Sequence, residues 1–424
     1  MDAWYNIIYG GIMFEKYLNS KGVSLIDFSK STKIPVSTLR NLNKLGFKKW
    51  KIKYIEVLSN FFEMPIDAIF NELKTLTDEV RHMESIEGRY DIENRRYIGN
   101  KNKLIQWITN LMDEFVEGKV FFDVFSGTGV VSKNMLEKYD QLIINDFLFS
   151  NEVIYHAFFG SDKVRTEVLK LKESEYQNID KTEENYFSMN YGDKFFSRND
   201  AKVIGAIRDD IDKDENLRQR ERYILLASLI YSSDKVSNTV GHYDAYRKKV
   251  KIEDKFKFEL IRPLDTSGKK ISIFREDANE LVKKVSADVA FIDPPYNSRQ
   301  YSRFYHVLEN LTKWDKPKLE GVAMKPPAEN MSEYSKSKAP EVFDNLIKNI
   351  NAKYIVVTYN NTYNSKSSSS RNKITHEEII TSLSEVGKTR QFEKPYKFFN
   401  TGKTELKEHK EFVFITEVGV FDEK

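Results

Sequence analysis

The sequence predicts an α/β fold: a mainly parallel sheet, interrupted by an inserted, partly helical domain and preceded by an all-α domain. Three observations carry this reading. From Arg95 onward, short apolar runs alternate with helical patterns, the signature of βα units. Residues 152–270 break that alternation with a charged, aromatic block that is largely helical at first and irregular later. Residues 1–72 place apolar residues at helical spacing between short polar turns.

Composition narrows the class. A chain of 424 residues suffices for two or three domains, each with a sizeable core. Hydrophobic residues make up 40% and charged residues 31%, ordinary proportions for a globular protein. No apolar run approaches the roughly 18 residues that a membrane span needs. The opening "MDAWYNIIYGGIMFEKY" lacks the basic region and cleavage site of a secretory signal. The chain has no cysteine, which excludes disulfides, thiolate metal sites and a cysteine nucleophile, and fits the cytoplasm. The six histidines form no metal-binding spacing, so no metal is expected. The net charge of +3 conceals two basic stretches. Arg40–Lys53 ("RNLNKLGFKKWKIK") holds six basic residues and no acidic one, and Arg247–Lys257 ("RKKVKIEDKFK") is similarly rich. With aromatics interleaved, such patches point to nucleic acid.

The elements follow in order. In "SLIDFSKSTKIPVSTLRNLNKL", Ser24 is placed to cap a helix from Leu25, and Pro35-Val36-Ser37 opens a second. "KYIEVLSNFFEMPIDAIFNEL" completes the 1–72 domain, and polar residues 73–94 read as a partly helical linker. The core spans 95–151 and 271–424, around the 152–270 insert. It opens with a strand Val120–Val124, a glycine loop and a helix from about Val130. "QLIIND" is a strand ending at Asp146, and "ADVAFI" and "KYIVVTY" are further buried strands. "NSKSSSSRNK" (Asn364–Lys373) reads as a mobile loop, and "QFEKPYKFFNTGKTELKEHKEFVFITEVG" (residues 391–419) as an antiparallel strand pair.

Two loops bear chemistry. In "FFDVFSGTGVVS", Gly127 and Gly129 allow a tight turn and close approach of a ligand to a helix N-terminus. Asp146, at the end of the next strand, can accept both hydroxyls of a ribose. This much fits NAD and S-adenosylmethionine equally. In "VAFIDPPYNSRQYSRFYHVLENL", Pro294 and Pro295 end a strand and fix the direction of the carbonyls beside Asp293 and Tyr296.

Together with "RRYIGNKNKLIQWI", these loops resemble the Dam-like class of DNA adenine-N6 methyltransferases. The family order is kept: Tyr97, Gly99 and Lys101; then Asp123, Phe125, Gly127 and Gly129; then an insert; then Asp293, Pro294, Pro295 and Tyr296. The resemblance covers roughly residues 95–424, the insert matching least well. It implies a Rossmann-like S-adenosylmethionine-dependent methyltransferase core and an insert that recognises the target in double-stranded DNA. It also implies base flipping, direct attack of the adenine N6 on the methyl group, and a place in a restriction-modification system beside a cognate endonuclease. Tyr97 and Lys101 would flank the methionine end of S-adenosylmethionine, Lys101 near its carboxylate. Phe125 and the glycine loop would back the methionine and ribose, and Asp146 would hold the ribose. Asp277 matches a position that contacts the cofactor's adenine, though a helix N-cap explains it equally. Asp293 and the Pro294 carbonyl would accept hydrogen bonds from the target amine while Tyr296 stacks on the base. Tyr359–Asn361 matches a pocket-lining segment, and Tyr396, Phe398 or Phe399 could clamp the base. Within the insert, Arg247, Lys248 and Lys249 are the candidate DNA contacts, and His242 fits a core role better than a base-reading one.

"LIDFSKSTKIPVSTLRNL", within a stretch of about 50 residues, in turn resembles the repressor-type helix-turn-helix, which places Ser37, Thr38, Arg40 and Asn41 on the groove-facing helix. The combination implies a DNA-bound protein of the bacterial nucleoid. The alternatives are an RNA base methyltransferase and a DNA-binding regulator whose methyltransferase domain is non-essential.

Overall fold

The computed structural model describes residues 13–43, 50–83, 88–99, 101–179, 183–295, 298–361, 372–395 and 410–421. The chain divides into two compact units, Met1–Glu87 and Gly88–Lys424. No helix among the described residues is long and apolar enough to cross a membrane.

The first unit is helical, with helices Met13–Ser20, Leu25–Thr32, Val36–Asn43, Ile52–Phe62 and Ile66–Met83. Ser24 caps the second: its Oγ accepts the Asp27 N–H at 3.1 Å. Lys33, with φ of 58°, ends that helix in the left-handed region, and three residues later the third begins at Val36. Phe14, Phe28, Leu39, Trp50 and Leu58 form the core, with Phe14 edge-on to both Phe28 and Trp50. Ser37, Arg40 and Asn41 are exposed on the third helix and Thr38 is half-buried.

The linker expected over 73–94 is not a separate segment. The last helix continues to Met83, because "LKTLTDEVRHM" is polar but holds good helix formers and neither glycine nor proline. From Gly88 the chain already belongs to the second unit, where Tyr90 bridges Ile261 and Ile92 is fully buried.

The second unit is built on seven described strands: β1 (Val120–Asp123), β2 (Gln141–Asn145), β3 (Lys270–Phe274), β4 (Ser286–Ile292), β5 (Asn351–Asn360), β6 (Gly387–Pro395) and β7 (Lys410–Val418). The order is β3-β2-β1-β4-β5-β7-β6. All neighbours from β3 to β5 are parallel, and β7 runs antiparallel between β5 and β6. Both faces are covered, so the central strands read as unbroken apolar runs rather than alternating ones. Phe122, Ile143, Ala290, Ile292 and Ile355 pack on one face against Phe343 and Leu346 of helix Ala339–Asn349 and Leu383 of helix His376–Val386. Phe121 turns the other way, onto Tyr139.

The chain leaves β1 toward β2 and β3, then returns to β4 on the opposite side of β1. At such a reversal the loops beyond the carboxyl ends diverge and leave a crevice. Between β2 and β3 come helices Phe149–Phe159, Thr166–Gln177, Tyr186–Tyr191, Arg198–Lys213 and Gln219–Val236, then residues 237–260 without helix or strand. The first of these helices straddles the expected start of the insert at residue 152.

Candidate active site

A cleft with about 1000 Å³ of empty space, partly open to solvent, lies at the carboxyl ends of β1 to β4. Each strand end delivers a carboxylate to it, or one placed just beyond: Asp123 from β1, Asp146 from β2, Asp277 from β3 and Asp293 from β4.

Asp123 is 1% exposed, and Ser132 Oγ donates to its Oδ2 at 2.6 Å. Its Oδ1 is buried and has no hydrogen-bond partner among the described residues. Burial, helped by the nearby Asp293 charge, pushes its pKa up to about 7. The glycine turn follows, with Phe125 and Gly127 in the cleft wall. Gly127 has φ of 53°, and a Cβ there would stand 3.3 Å from the Tyr97 ring, so the turn and the packing both call for glycine. Its N–H donates to Asp146 Oδ2 at 3.0 Å, and the Leu148 N–H donates to Oδ1 at 2.9 Å. Burial nonetheless raises the Asp146 pKa. Gly129 is different. It does not line the cleft, and a Cβ there would meet Ile92 Cδ1 at 2.8 Å, so its role is packing at the start of helix Val130–Met135.

Tyr97, Gly99 and Lys101 form the adjoining wall. The Tyr97 ring stacks on Tyr305 (4.7 Å between centroids, 6° between planes), and Tyr305 Oη accepts the Ile98 N–H at 2.9 Å. The Lys101 Nζ, expected near the methionine carboxylate, is paired with Asp293 Oδ2 at 2.9 Å. Thr358 Oγ1 donates to the other oxygen, Asp293 Oδ1, at 2.8 Å. The carboxylate is thus oriented from both sides, beside the cleft-lining Pro294 and Pro295. Tyr296, Tyr396, Phe398 and Phe399 lie outside the described residues, as does most of the serine-rich segment.

Asp277 is a helix N-cap, one of the two readings left open by the sequence. Its Oδ1 accepts the N–H groups of Asn279 (2.9 Å) and Glu280 (3.3 Å) as an N-cap, and the residue also lines the cleft. The pocket-lining role expected for Tyr359–Asn361 is not seen. Tyr359 Oη donates to the Ile374 carbonyl and Asn360 accepts from Asn372, while the neighbouring Thr358 reaches Asp293. The parallel register that sets Val357 beside Ile292 brings Thr358 level with Asp293, a signal that no local motif holds.

Nothing in the sequence signalled that Asn330, Ser332 and Tyr334 would join Gln300 in a far wall. Gln300 Nε2 donates to the Ser332 carbonyl (2.9 Å), and the Ser332 N–H donates back to Gln300 Oε1 (2.8 Å). Tyr334 stands edge-on to Phe125 and donates to Asn279 Oδ1 at 2.7 Å.

Arg247, Lys248 and Lys249 are exposed, on a loop pinned by paired hydrogen bonds between Asn238 and Arg247. His242 stacks on Phe304 (4.7 Å), and burial lowers its pKa. Phe304 ends the short helix Tyr301–Phe304, whose first residue lines the cleft, so through His242 the loop packs against an element of the cleft wall. Chemically, the site offers a fixed carboxylate and a main-chain carbonyl as acceptors for an amine. Deeper in, an unpartnered carboxylate oxygen suits a cationic or N–H group.

The comparisons with known proteins agree with this chemistry. Residues 97–369 match the model of the D12 class N6 adenine-specific DNA methyltransferase family. The chain is 35% identical over 288 residues to modification methylase StsI of Streptococcus sanguinis, covering 63% of this chain and 44% of the methylase. It is 29% identical to the type II methyltransferase M.NlaIII of Neisseria lactamica, over 74% of this chain and 95% of that protein. It is 30% identical to the type II methyltransferase M.CviAII of Paramecium bursaria Chlorella virus 1, over 69% and 88%. The chain thus spans less than half the length of the StsI methylase and most of the other two.

Proposed function

Because this chain belongs to the D12 class of N6 adenine-specific DNA methyltransferases, we propose that it moves a methyl group from S-adenosylmethionine to the N6 of an adenine in duplex DNA. The observation that carries the reading is the Asp293 carboxylate, fixed by Lys101 and Thr358 beside Pro294 in a cleft at the carboxyl ends of the parallel strands.

The cleft fits S-adenosylmethionine on two counts. The orphaned Oδ1 of Asp123 is a buried acceptor suited to a cation, and the tight turn at Gly127 lines the cleft. Asp146 would hold the ribose, Phe125 would back it, and Asp277 with Tyr334 would border the adenine. When bound, the cofactor supplies an electrophilic methyl group. The residues of the chain then do the rest. Asp293 and the Pro294 carbonyl accept the two N–H bonds of the target amine, which turns its lone pair toward the cleft. Placing the two reactants together supplies most of the rate. An amine inside a duplex cannot reach Asp293, so the adenine is flipped out.

The remaining assignments rest on the same reading. The parallel sheet with its reversal at β1 supports a Rossmann-like core. Exposed Arg247, Lys248 and Lys249, on a loop that packs through His242 against the helix Tyr301–Phe304, support target recognition by the 152–270 insert. The short turn between helices Leu25–Thr32 and Val36–Asn43, with Ser37, Arg40 and Asn41 exposed, supports a helix-turn-helix. Relatives named as modification methylases support a role beside a cognate restriction endonuclease.

Incubation with methyl-labelled S-adenosylmethionine and unmethylated plasmid, followed by nucleoside digestion, tests the assignment. Label in N6-methyladenine of duplex DNA is expected. Label confined to cytosine or to added ribosomal RNA would reject it.

A further inference from the structure

Asp234, in the last turn of helix Gln219–Val236, divides its carboxylate between two parts of the molecule. Oδ1 accepts the Tyr243 hydroxyl at 2.9 Å. Oδ2 accepts the Arg96 main-chain N–H at 3.1 Å and stands 3.6 Å from Arg96 Nε. The Arg96 guanidinium also hydrogen-bonds the Asp234 carbonyl and donates to Ser237 Oγ at 2.6 Å. The Asp234 side chain is 5% exposed and Tyr243 is fully buried, so water does not compete for the bond between them.

The two partners lead in opposite directions. Arg96 is followed directly by Tyr97, whose ring lines the cofactor cleft. Tyr243 lies on the loop that carries Arg247, Lys248 and Lys249, and its N–H donates to the Phe304 carbonyl at 2.7 Å. One carboxylate therefore clasps the cofactor-facing segment with one oxygen and the DNA-facing loop with the other.

We propose that Asp234 is a positioning residue that couples the two substrates, so that DNA on the 243–249 loop tightens cofactor binding. The inference rests on the methyltransferase reading above. DNA that fixes the loop fixes Tyr243, Asp234 and Arg96 in turn, and Tyr97 to Lys101 then lose less freedom when the cofactor enters. By linkage the cofactor tightens DNA by the same factor.

The test titrates S-adenosylhomocysteine, which has no methyl to transfer, with and without unmethylated plasmid DNA. In the unaltered protein DNA lowers its Kd by about fivefold or more, the lower end of common coupling. Tyr243→Phe removes only the hydroxyl on Asp234. It should bring the ratio to about one while the Kd without DNA changes little. Asp234→Asn can still accept from Arg96 and donate to Tyr243, and should retain much of the ratio. A ratio undiminished in Tyr243→Phe, or a ratio of one in the unaltered protein, overturns the coupling. A protein that methylates plasmid adenine yet shows either result loses this inference alone; one that methylates no DNA loses the function as well. Should Tyr243→Phe not fold, hydrogen exchange in the unaltered protein decides. Plasmid DNA must slow the amides of Arg96 to Gly99, and unchanged exchange overturns the proposal.

Discussion

The N-terminal unit closes around Phe14, Phe28, Leu39, Trp50 and Leu58, and none of its described charged residues is buried, whereas the second unit buries Lys101, Asp123, Glu221, Asp234 and Glu309. Taking a charge out of water costs several kcal/mol unless partners replace the lost hydration. Most of these groups have such partners. Glu221 holds Arg165 at 2.6 Å, and Glu309 accepts two N–H groups at the start of helix Phe149–Phe159. Asp123 keeps one buried oxygen with no described partner, and that residue faces the cleft. The first unit thus spends its sequence on packing and leaves polarity at its surface. The second accepts a poorly satisfied charge where a ligand can complete it.

Replacing Asp293 breaks the second unit at its most consequential point. Asp293→Ala removes one acceptor of the target amine and leaves Lys101 without its carboxylate partner. We expect kcat to fall on the order of 10²–10³-fold or more. Cofactor and plasmid binding should change only a few-fold, since Asp123, Asp146 and the basic loop remain. Single-turnover methylation compared with equilibrium binding would show the split. Retained turnover would remove Asp293 from the chemistry.

Leu58→Ala makes the opposite cut. Leu58 is fully buried in the apolar core of the first unit, so its truncation should cost that unit about 2–5 kcal/mol. Calorimetry should show only the transition of the first unit moving, and methyl transfer by the remainder staying within a few-fold. A shift of both transitions by the same amount would mean that the two units share one cooperative core.

The comparison also explains what the sequence disclosed. Buried strands such as "FFD", "LIIN" and "AFI", and the turn at Gly127, are written in consecutive residues, so local reading found them. The clasp of Lys101 and Thr358 on Asp293 joins three distant segments through parallel strand register, and nothing local encodes it. Gly129 looked like a ligand-approach glycine because a glycine required by Ile92 is indistinguishable in sequence from one required by a cofactor. Residues 73–83 looked like a linker because their polarity masked good helix propensity.

Thr358→Val sharpens the picture of the fixed carboxylate. It keeps the shape of the side chain and removes one hydrogen bond to a charged group, worth about 1.5–3 kcal/mol. If that bond orients Asp293 for the amine, kcat falls by roughly ten- to a hundredfold with little change in KM for the cofactor. A rise in KM at constant kcat would instead place Thr358 in cofactor binding.

The smallest effect is the most specific to the unsatisfied oxygen. With burial holding the Asp123 pKa at about 7, the free protein carries a proton there in mildly acidic solution. An ordinary aspartate has a pKa of about 3.9, so between roughly pH 4 and 7 the folded state binds more protons than the unfolded one. Stability attributable to this residue therefore falls as pH rises through that window and is level above it. Asp146, also raised by burial, acts in the same direction. A cation entering beside Asp123 favours the ionised form and expels the proton. S-adenosylmethionine affinity should accordingly rise with pH, by at most about tenfold per unit, and flatten above 7. Asp123→Asn cannot release that proton, and its cofactor affinity should lose most of the slope while becoming weaker above pH 7. Calorimetric titration between pH 5.5 and about 8.5, in buffers of different ionisation enthalpy, measures the released proton directly. An unaltered protein with a flat profile would mean that Asp123 is not where the cation sits.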